Sequence, residues 1–322
     1  MNSNRLDALL AQISQLKMAV IGDYALDFYF DINPDSSEIS VETGKEVHIC
    51  QKPQAYLGGA GNVAKNLASL GVQVDAFGVR GNDLFGREMS HEAGKWHIST
   101  KHLSVIDELD TPTYTKPMRV YDEQNRLDFG TRNLQFHTYA KQLIDTLEKR
   151  IDTYHWVIIN EQFKYPLLNK ESLNLLQNIT NEKAIADLRS LGNEAQNTLL
   201  KVNEEEFKNI IGEVTDLEFQ IKQWVVQRNK PALVTLGEQG MIYASPTEFH
   251  WEKAIPVLGP IDTVGAGDMV VAAFSAAKAT GASIAESCKF ASLAVHISIQ
   301  KIGETGSASP HEIKQLHDAI GN

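Results

Sequence analysis

His155-Trp-Val-Ile-Ile159, Lys183-Ala-Ile-Ala-Asp187, Leu199-Leu-Lys-Val202 and Pro231-Ala-Leu-Val-Thr-Leu236 are short, mostly apolar runs. Each reads as a strand, and around them the apolar spacing is helical over 137–150, 166–179, 204–211 and 216–228. Strands alternating with helices pair in parallel, with crossover helices on both faces of the sheet. Lys17–Gly22 is a further buried strand that stops at Gly-Asp, and a helix over 60–70 with Val63, Leu67 and Leu70 on one face leads to a strand over 72–79. The fold class is therefore α/β, doubly wound. Two β-like interruptions do not fit the alternation: Phe28–Ile32 with Glu46–Gln51, and Tyr114–Val120 with Arg126–Phe129. They are expected to leave the main sheet and pair as a small β-sheet lid, over about 28–57 and 112–131, that keeps water from the active edge. Without an internal repeat or a linker, residues 1–322 are expected to form one domain.

The formal charge of −11 argues against nucleic acid as a partner, because nothing offsets phosphate repulsion. A phosphorylated small substrate is still admissible, since it needs only a local cluster of cations. Cys50 and Cys288 stand far apart, outside any metal-ligand spacing, and read as reduced thiols of a cytoplasmic protein. Met1–Gln15 carries Leu6, Leu9, Leu10 and Ile13 at helical spacing without the basic flank of a signal peptide, so a packed surface helix is expected. Lys278 interrupts the longest apolar stretch below membrane-spanning length, and no membrane partner is expected.

The chemistry concentrates in Gly259-Pro-Ile-Asp262-Thr263-Val-Gly265-Ala266-Gly267-Asp268, which runs straight into an Ala/Val/Phe-rich helical stretch. Glycines one residue apart let backbone N–H groups converge, and a following helix adds its own free N–H groups and the positive end of its dipole. Asp268 would compete with an anion there unless it acts on something beside it. Ionised near neutral pH, it can take a proton from a hydroxyl while the glycine N–H groups hold developing negative charge. That pairing suits phosphoryl transfer to an alcohol; the same residues would also serve an ordinary turn with an acid in the first helical turn.

Six segments in register resemble the ribokinase-like (PfkB) family of sugar kinases over almost the whole chain. They are Gly22-Asp23-Tyr-Ala-Leu-Asp27, Gly58-Gly59-Ala-Gly61-Asn62-Val-Ala64, Gly81-Asn-Asp83-Leu-Phe-Gly86, Asn203-Glu-Glu-Glu206, Thr235-Leu-Gly237-Glu-Gln-Gly240 and the run from Asp262 to Asp268. The resemblance implies a ribokinase-like α/β/α sandwich with a β-lid, and ATP with Mg2+. It implies Asp27, Gly58, Gly59 and Asn62 on the sugar, and Asn203, Glu206, Thr235, Gly237, Gly240, Gly265 and Gly267 on ATP. Glu206 is implied at the metal, Asp268 as base, and Gly265, Ala266 and Gly267 as the anion hole. Asn203 and Glu206 stand one helical turn apart, so both can face one magnesium–phosphate group, and the run of acids also suits a solvated helix start. A homodimer through the lid is the expected assembly.

Within that family, Ser37-Glu-Ile-Ser40-Val-Glu42, the glycine-rich run Leu57–Gly71 and the lid residues Thr113–Arg119 with Arg126-Leu-Asp128 are similar to the D-glycero-D-manno-heptose 7-phosphate kinases. The likeness implies Lys116 and Arg126 at a sugar phosphate, although Lys116, Arg119 and Arg126 also read as solvated lid charges. Two features depart from those kinases. Lys116-Pro-Met-Arg119 has one residue more than expected, which turns Arg119 to the other strand face, and Asn160-Glu-Gln-Phe-Lys164-Tyr165 replaces their Ser-Asp-Tyr-x-Lys-Gly. No fused nucleotidyltransferase segment is read in the chain. A hexose, hexose phosphate or nucleoside kinase, or a non-catalytic sugar- or nucleotide-binding regulator, stays open beside the heptose reading. A dinucleotide-binding oxidoreductase does not, because Gly59-x-Gly61-x-x-Ala64 is separated from the first strand by a β-like excursion.

Overall fold

Thirteen strands are described, in chain order β1 (Lys17–Gly22), β2 (Tyr24–Ile39), β3 (Glu46–Gly59), β4 (Gln73–Gly81), β5 (Ser99–Ile106), β6 (Thr113–Arg119), β7 (Asp122–Glu123), β8 (Trp156–Glu161), β9 (Ala184–Leu188), β10 (Leu199–Asn203), β11 (Ala232–Thr235), β12 (Met241–Ala244) and β13 (Phe249–Glu252). The helices are α1 (Ser3–Ile13), α2 (Ala60–Ser69), α3 (Leu84–Lys95), α4 (Ala140–Glu148), α5 (Lys170–Thr180), α6 (Glu204–Ile211), α7 (Leu217–Arg228), α8 (Ala266–Ala279), α9 (Ile284–Ser298) and α10 (Pro310–Ile320). The computed structural model describes residues 1–120, 122–212, 215–303 and 305–320. Tyr121 of the second expected lid segment, and the side chain of Ser37 with those of 34–36, lie outside the described residues.

The main sheet has nine strands in the order β13-β12-β11-β10-β9-β8-β1-β4-β5. From β11 to β5 every pair is parallel, as the alternation of strands and helices requires. At the other edge β12 and β13 run antiparallel, joined to β11 by the short turn Gly237–Gln239. One face carries α1, α2, α3, α8, α9 and α10, with Leu6, Leu67, Phe274 and Phe290 fully buried among them. The opposite face carries α4 to α7, with Leu143, Leu173, Phe207 and Val225 buried. Successive strand residues divide between these faces, so Ile158 belongs to the first cluster and Val157 and Ile159 to the second. The expected N-terminal helix packs as read, with Leu6, Leu9 and Ile13 inside.

Helix starts follow local capping rather than the apolar pattern. The helix expected from 166 begins at Lys170, because Asn169 and Ser172 form a capping box. The one expected from 137 begins at Ala140, after a single tight turn over Phe136–Tyr139. Among the described residues no helix is long and apolar enough to cross a membrane.

A second sheet, in the order β3-β2-β6-β7, is made from the two interrupting segments. β2 and β3 form an antiparallel hairpin much longer than the pieces read from sequence, and β6 adds to β2 in parallel. The strand expected over Arg126–Phe129 does not form. Phe129 makes a single bridge to Thr113, and Thr115 Oγ1 donates to Leu127 O at 2.7 Å while accepting from its N–H at 2.8 Å. The fourth strand is Asp122–Glu123, which pairs with Met118 and Arg119.

Asp23 joins the two sheets. Its carboxylate, fully buried, accepts from the N–H groups of Gln162 (2.8 Å), Phe163 (2.9 Å) and Leu167 (2.7 Å). Its carbonyl accepts from Ala60 N at 2.8 Å, at the start of α2. A Cβ on Gly59, whose φ is 56°, would overlap that carbonyl, so glycine is needed for the chain to enter α2 here. Removing the carboxylate orphans three buried donors at about 1–3 kcal/mol each. Asp23→Ala is therefore expected to lower the urea midpoint by the equivalent of several kcal/mol, with an unchanged denaturant slope. A midpoint equal to wild type would remove Asp23 from this role.

Candidate active site

One row of paired residues crosses the carboxyl end of the sheet: Gly22 beside Asn160, Asn160 beside Asp187, and Asp187 beside Lys201. Each of these three side chains stands two residues beyond an apolar residue of the first cluster, namely Ile158, Ile185 and Leu199. All three therefore point to the face that carries α2 and α8. Lys201 Nζ donates to Asp187 Oδ1 at 3.1 Å, with both side chains almost completely buried. Burial alone would lower the lysine, but Asp187, helped by Glu206 and Asp268, holds it above its ordinary pKa and charged.

Directly above stands the first turn of α8. Gly265 is left-handed (φ 77°) and opens the helix, and Asp268 lies in its first turn. A Cβ on Gly265 would sit 2.7 Å from both Asn62 Nδ2 and Thr305 Cγ2, and one on Gly267 would sit 3.2 Å from Lys201 Nζ. Among the described residues the N–H groups of Gly265, Gly267 and Asp268 have no partner in the protein. The N–H of Ala266 differs from the expectation: it donates to Thr263 O at 3.1 Å, completing the turn into the helix. The N–H groups left free at this turn are thus those of the two glycines and Asp268, with Lys201 beneath.

Asp268 Oδ2 accepts from Asn62 Nδ2 at 2.6 Å, joining two residues 206 positions apart. The expectation that a helix N-terminus keeps this carboxyl ionised needs correction. Burial and the nearby Asp187 carboxylate push it up, Asn62 and Lys201 pull it down, and it comes to rest at about 7. Such a group is a better proton acceptor near neutral pH than an ordinary aspartate.

On the lid side, Asp27 lies on β2 opposite Tyr56, and a Cβ on Gly58 would come within 3.2 Å of Asp27 Oδ2. Lys116 is not a free lid cation. Its Nζ lies 3.3 Å from Asp27 Oδ1, donates to Tyr29 Oη at 2.9 Å, and stands 4.7 Å from the Tyr29 ring centre. Burial would lower Lys116, but Asp27 and Tyr29 hold it above its ordinary value. Arg126 donates to Asp128 Oδ2 at 3.0 Å and stacks on Tyr114 at 5.3 Å, and its charge still reaches Asp27. Arg119 is exposed on the alternate face of β6, as its extra residue of spacing implies.

At the other end of the row, Asn203 and Thr235 are register partners on β10 and β11. Asn203 caps α6 in a box with Glu206: Asn203 Oδ1 accepts from Glu206 N and Glu206 Oε2 from Asn203 N, both at 2.8 Å. Both readings of this acidic run are thus compatible with the geometry, since one oxygen of Glu206 is used in the cap. Among the described residues Glu206 Oε1 and Asp187 Oδ2 have no protein partner. Hard, unpartnered carboxylate oxygens beside an anion hole are the donor set that suits Mg2+, which binds through one or two carboxylates together with phosphate and water. Gly237 and Gly240 flank the turn between β11 and β12, with φ of 54° and 94°.

Sequence reasoning missed Asp187, Lys201, Asn160 and Tyr29. The signal for the first three was present: a polar residue stands two positions after a core residue late in each strand, Lys201 even lying between the buried Leu200 and Val202. Their meaning required the strand order, which places four distant runs side by side.

Compared with known proteins, the chain is 30% identical over 314 residues to the bifunctional protein HldE of Haemophilus influenzae, covering 94% of this chain and 64% of that protein. With HldE of Coxiella burnetii it is 30% identical over 310 residues, with the same coverage. The chain thus spans a little under two thirds of the length of these relatives. Its fold is that of Arabidopsis thaliana ribokinase complexed with ribose and ATP, at a TM-score of 0.75 and 20% identity over 94% of this chain and 98% of that one. Residues 15–311 match the pfkB family carbohydrate kinase model, and the chain belongs to this family of ATP-dependent sugar phosphotransferases.

Proposed function

We propose that the chain transfers the γ-phosphoryl group of ATP to the anomeric hydroxyl of D-glycero-D-manno-heptose 7-phosphate. The observation that carries the phosphotransfer reading is the start of α8, where Asp268, held by Asn62, adjoins the unpartnered N–H groups of Gly265 and Gly267 above the charged Lys201. In this reading Asp268 takes the hydroxyl proton as the sugar oxygen bonds to phosphorus, and the bond from phosphorus to the ADP oxygen breaks. Gly265, Gly267 and Lys201 hold the transferring oxygens. Asp27, Gly58, Gly59 and Asn62 orient the sugar. Asn203, Glu206, Thr235, Gly237 and Gly240 serve the nucleotide, with Glu206 and Asp187 as the residues that would hold Mg2+. When bound, the ion neutralises triphosphate charge. The second sheet acts as the lid that excludes water.

The heptose phosphate assignment rests on the resemblance of the glycine-rich helix and the lid, and on the similarity to HldE. One observation favours a second reading, an unphosphorylated hexose: Lys116 and Arg126 both already have carboxylate partners, Asp27 and Asp128. The lid also exposes Ile39, Ile49 and Leu127 at 59%, 42% and 68%. A homodimer formed lid to lid, the assembly expected from the resemblance, would take exposed apolar side chains such as Leu127 out of water. Sedimentation at micromolar concentration is expected to give a dimer that Leu127→Glu dissociates; a wild-type monomer would end this proposal.

Asp268→Asn is expected to lower kcat by ~10²–10⁴-fold, with ATP affinity kept within a few-fold. The base works only when ionised and its pKa is about 7, so kcat/KM should climb as pH rises through about 7 and level off above it. Substantial turnover by Asp268→Asn would overturn the mechanism.

For the substrate, Mg2+- and ATP-dependent turnover is to be compared on heptose 7-phosphate, fructose 6-phosphate, fructose, ribose and adenosine. With a phosphate-bearing substrate, Arg126→Ala and Lys116→Ala should each lose about 1.5–3 kcal/mol of transition-state binding in kcat/KM. Preference for fructose or ribose, with Arg126→Ala unimpaired, would replace the heptose phosphate by the neutral sugar.

A further inference from the structure

The Asn62–Asp268 bond uses one end of an amide whose other end is unaccounted for. Asn62 Oδ1 is buried and, among the described residues, has no partner. The same holds for both side-chain atoms of Asn66, for Thr305 Oγ1 and for Ser275 Oγ. Asn62, Asn66, Ser275 and Thr305 are all at most 3% exposed.

These atoms belong to one neighbourhood. On α2, Asn62 and Asn66 stand one turn apart on the same side. That side meets α8 and residues 305–308, because Asn62 donates to Asp268, Lys65 donates to Thr305 O, and Ser69 donates to Ala308 O. On α8, Ser275 lies two turns beyond Asp268 on its side, and the residue one turn beyond is the small Ala272. At the top Gly265 closes the space, since a Cβ there would touch both Asn62 and Thr305.

Buried polar atoms are almost always hydrogen-bonded, and voids that stay dry are apolar ones. An enclosed site lined by amides and hydroxyls is a place for water, which needs about two to four polar partners per molecule. We infer that about two ordered waters occupy the space between α2, α8 and residues 305–308, and that Asn66 holds Asn62 through them, making Asn66 a positioning residue for Asp268. The argument for what this does is one of polarity. An amide oxygen only accepts and an amide nitrogen only donates. A water that donates to Asn62 Oδ1 fixes the amide with Nδ2 toward the carboxylate; the flipped amide would set oxygen against oxygen. Asn66 supplies both an acceptor and donors, so it can orient that water.

The positioning role rests on Asp268 as the base, whereas the waters do not. A high-resolution crystal structure of the full chain should show waters bonded to Asn66 and to Asn62 Oδ1. A dry gap, or a direct protein bond to Asn62 Oδ1 or to the Asn66 amide, overturns the inference whatever Asp268 does. For the kinetics, Asn66→Leu fills the space with an apolar side chain of similar size, and Asn66→Ser restores a hydroxyl and room for water. Asn66→Leu is expected to lower kcat about ten- to a hundredfold, with the KM for sugar and for ATP and the thermal midpoint close to wild type, and Asn66→Ser to recover most of the rate. Wild-type kcat in Asn66→Leu, or a loss confined to KM or to stability, means packing alone and overturns the positioning role. Should Asn66→Leu not fold, Asn66→Ala read by the same rate and crystal measurements decides. Asp268→Asn assayed in parallel separates the two ideas, because its retention of activity would remove the base and leave the waters to the crystal structure.

Discussion

The Asp187–Lys201 pair constrains everything around it. A sheet covered on both faces has no water to spare for a lone charge, so a lysine on β10 is tolerable only with a carboxylate beside it. Pairing of this kind adds little to stability, because desolvation consumes most of the attraction. What it secures is a fixed positive charge directly beneath the first turn of α8, close enough that a Cβ on Gly267 would touch it. In the proposed function the glycine cradle and the lysine together would hold an anion through backbone dipoles and one formal charge, neither of which must reorganise on its arrival.

On the other side of the row, the lid imposes a similar condition. Asp27 is nearly buried and is compensated by Lys116, which is itself braced by Tyr29. A sugar hydroxyl reaching Asp27 must share that carboxylate with the ammonium group. Neutral hydroxyls can do so by adding to the network; a phosphate would draw Lys116 toward itself and leave Asp27 to the sugar. Under the proposed function, the same three residues would admit either class of substrate by a different rearrangement.

The regular part of this architecture is legible in the sequence because parallel strands with crossover helices leave a simple pattern of short apolar runs and helical spacing. The glycine-rich starts of α2 and α8 are legible for a related reason: only glycine serves where Gly59 meets the Asp23 carbonyl and Gly265 meets Asn62 and Thr305. What stays hidden depends on distance in the chain. Asp187 looks like an ordinary strand end and Lys201 like a stray charge within an apolar run until the register sets them side by side, and the capping box of Asn203 and Glu206 appears only once α6 has a defined first residue. The lid is harder still, since the last expected strand gives way to side-chain bonds of Thr115 that no periodicity encodes.

A carboxylate set within an anion site looks self-defeating, and the resolution lies in its neighbours. Asp268 feels Lys201 and Asn62, which favour its charge, and burial, Asp187 and Asp27, which oppose it. The opposing carboxylates belong to the two halves of the proposed reaction, Asp27 to the sugar and Asp187 to the nucleotide side. Any ligand that draws Lys116 from Asp27 exposes more negative charge to Asp268 and raises its affinity for a proton; any cation bound by Asp187 does the reverse. In the proposed reaction the proton affinity of Asp268 would therefore respond to what occupies each half of the cleft, and an aspartate whose carboxyl rests at about 7 is one that modest changes can move across the working range.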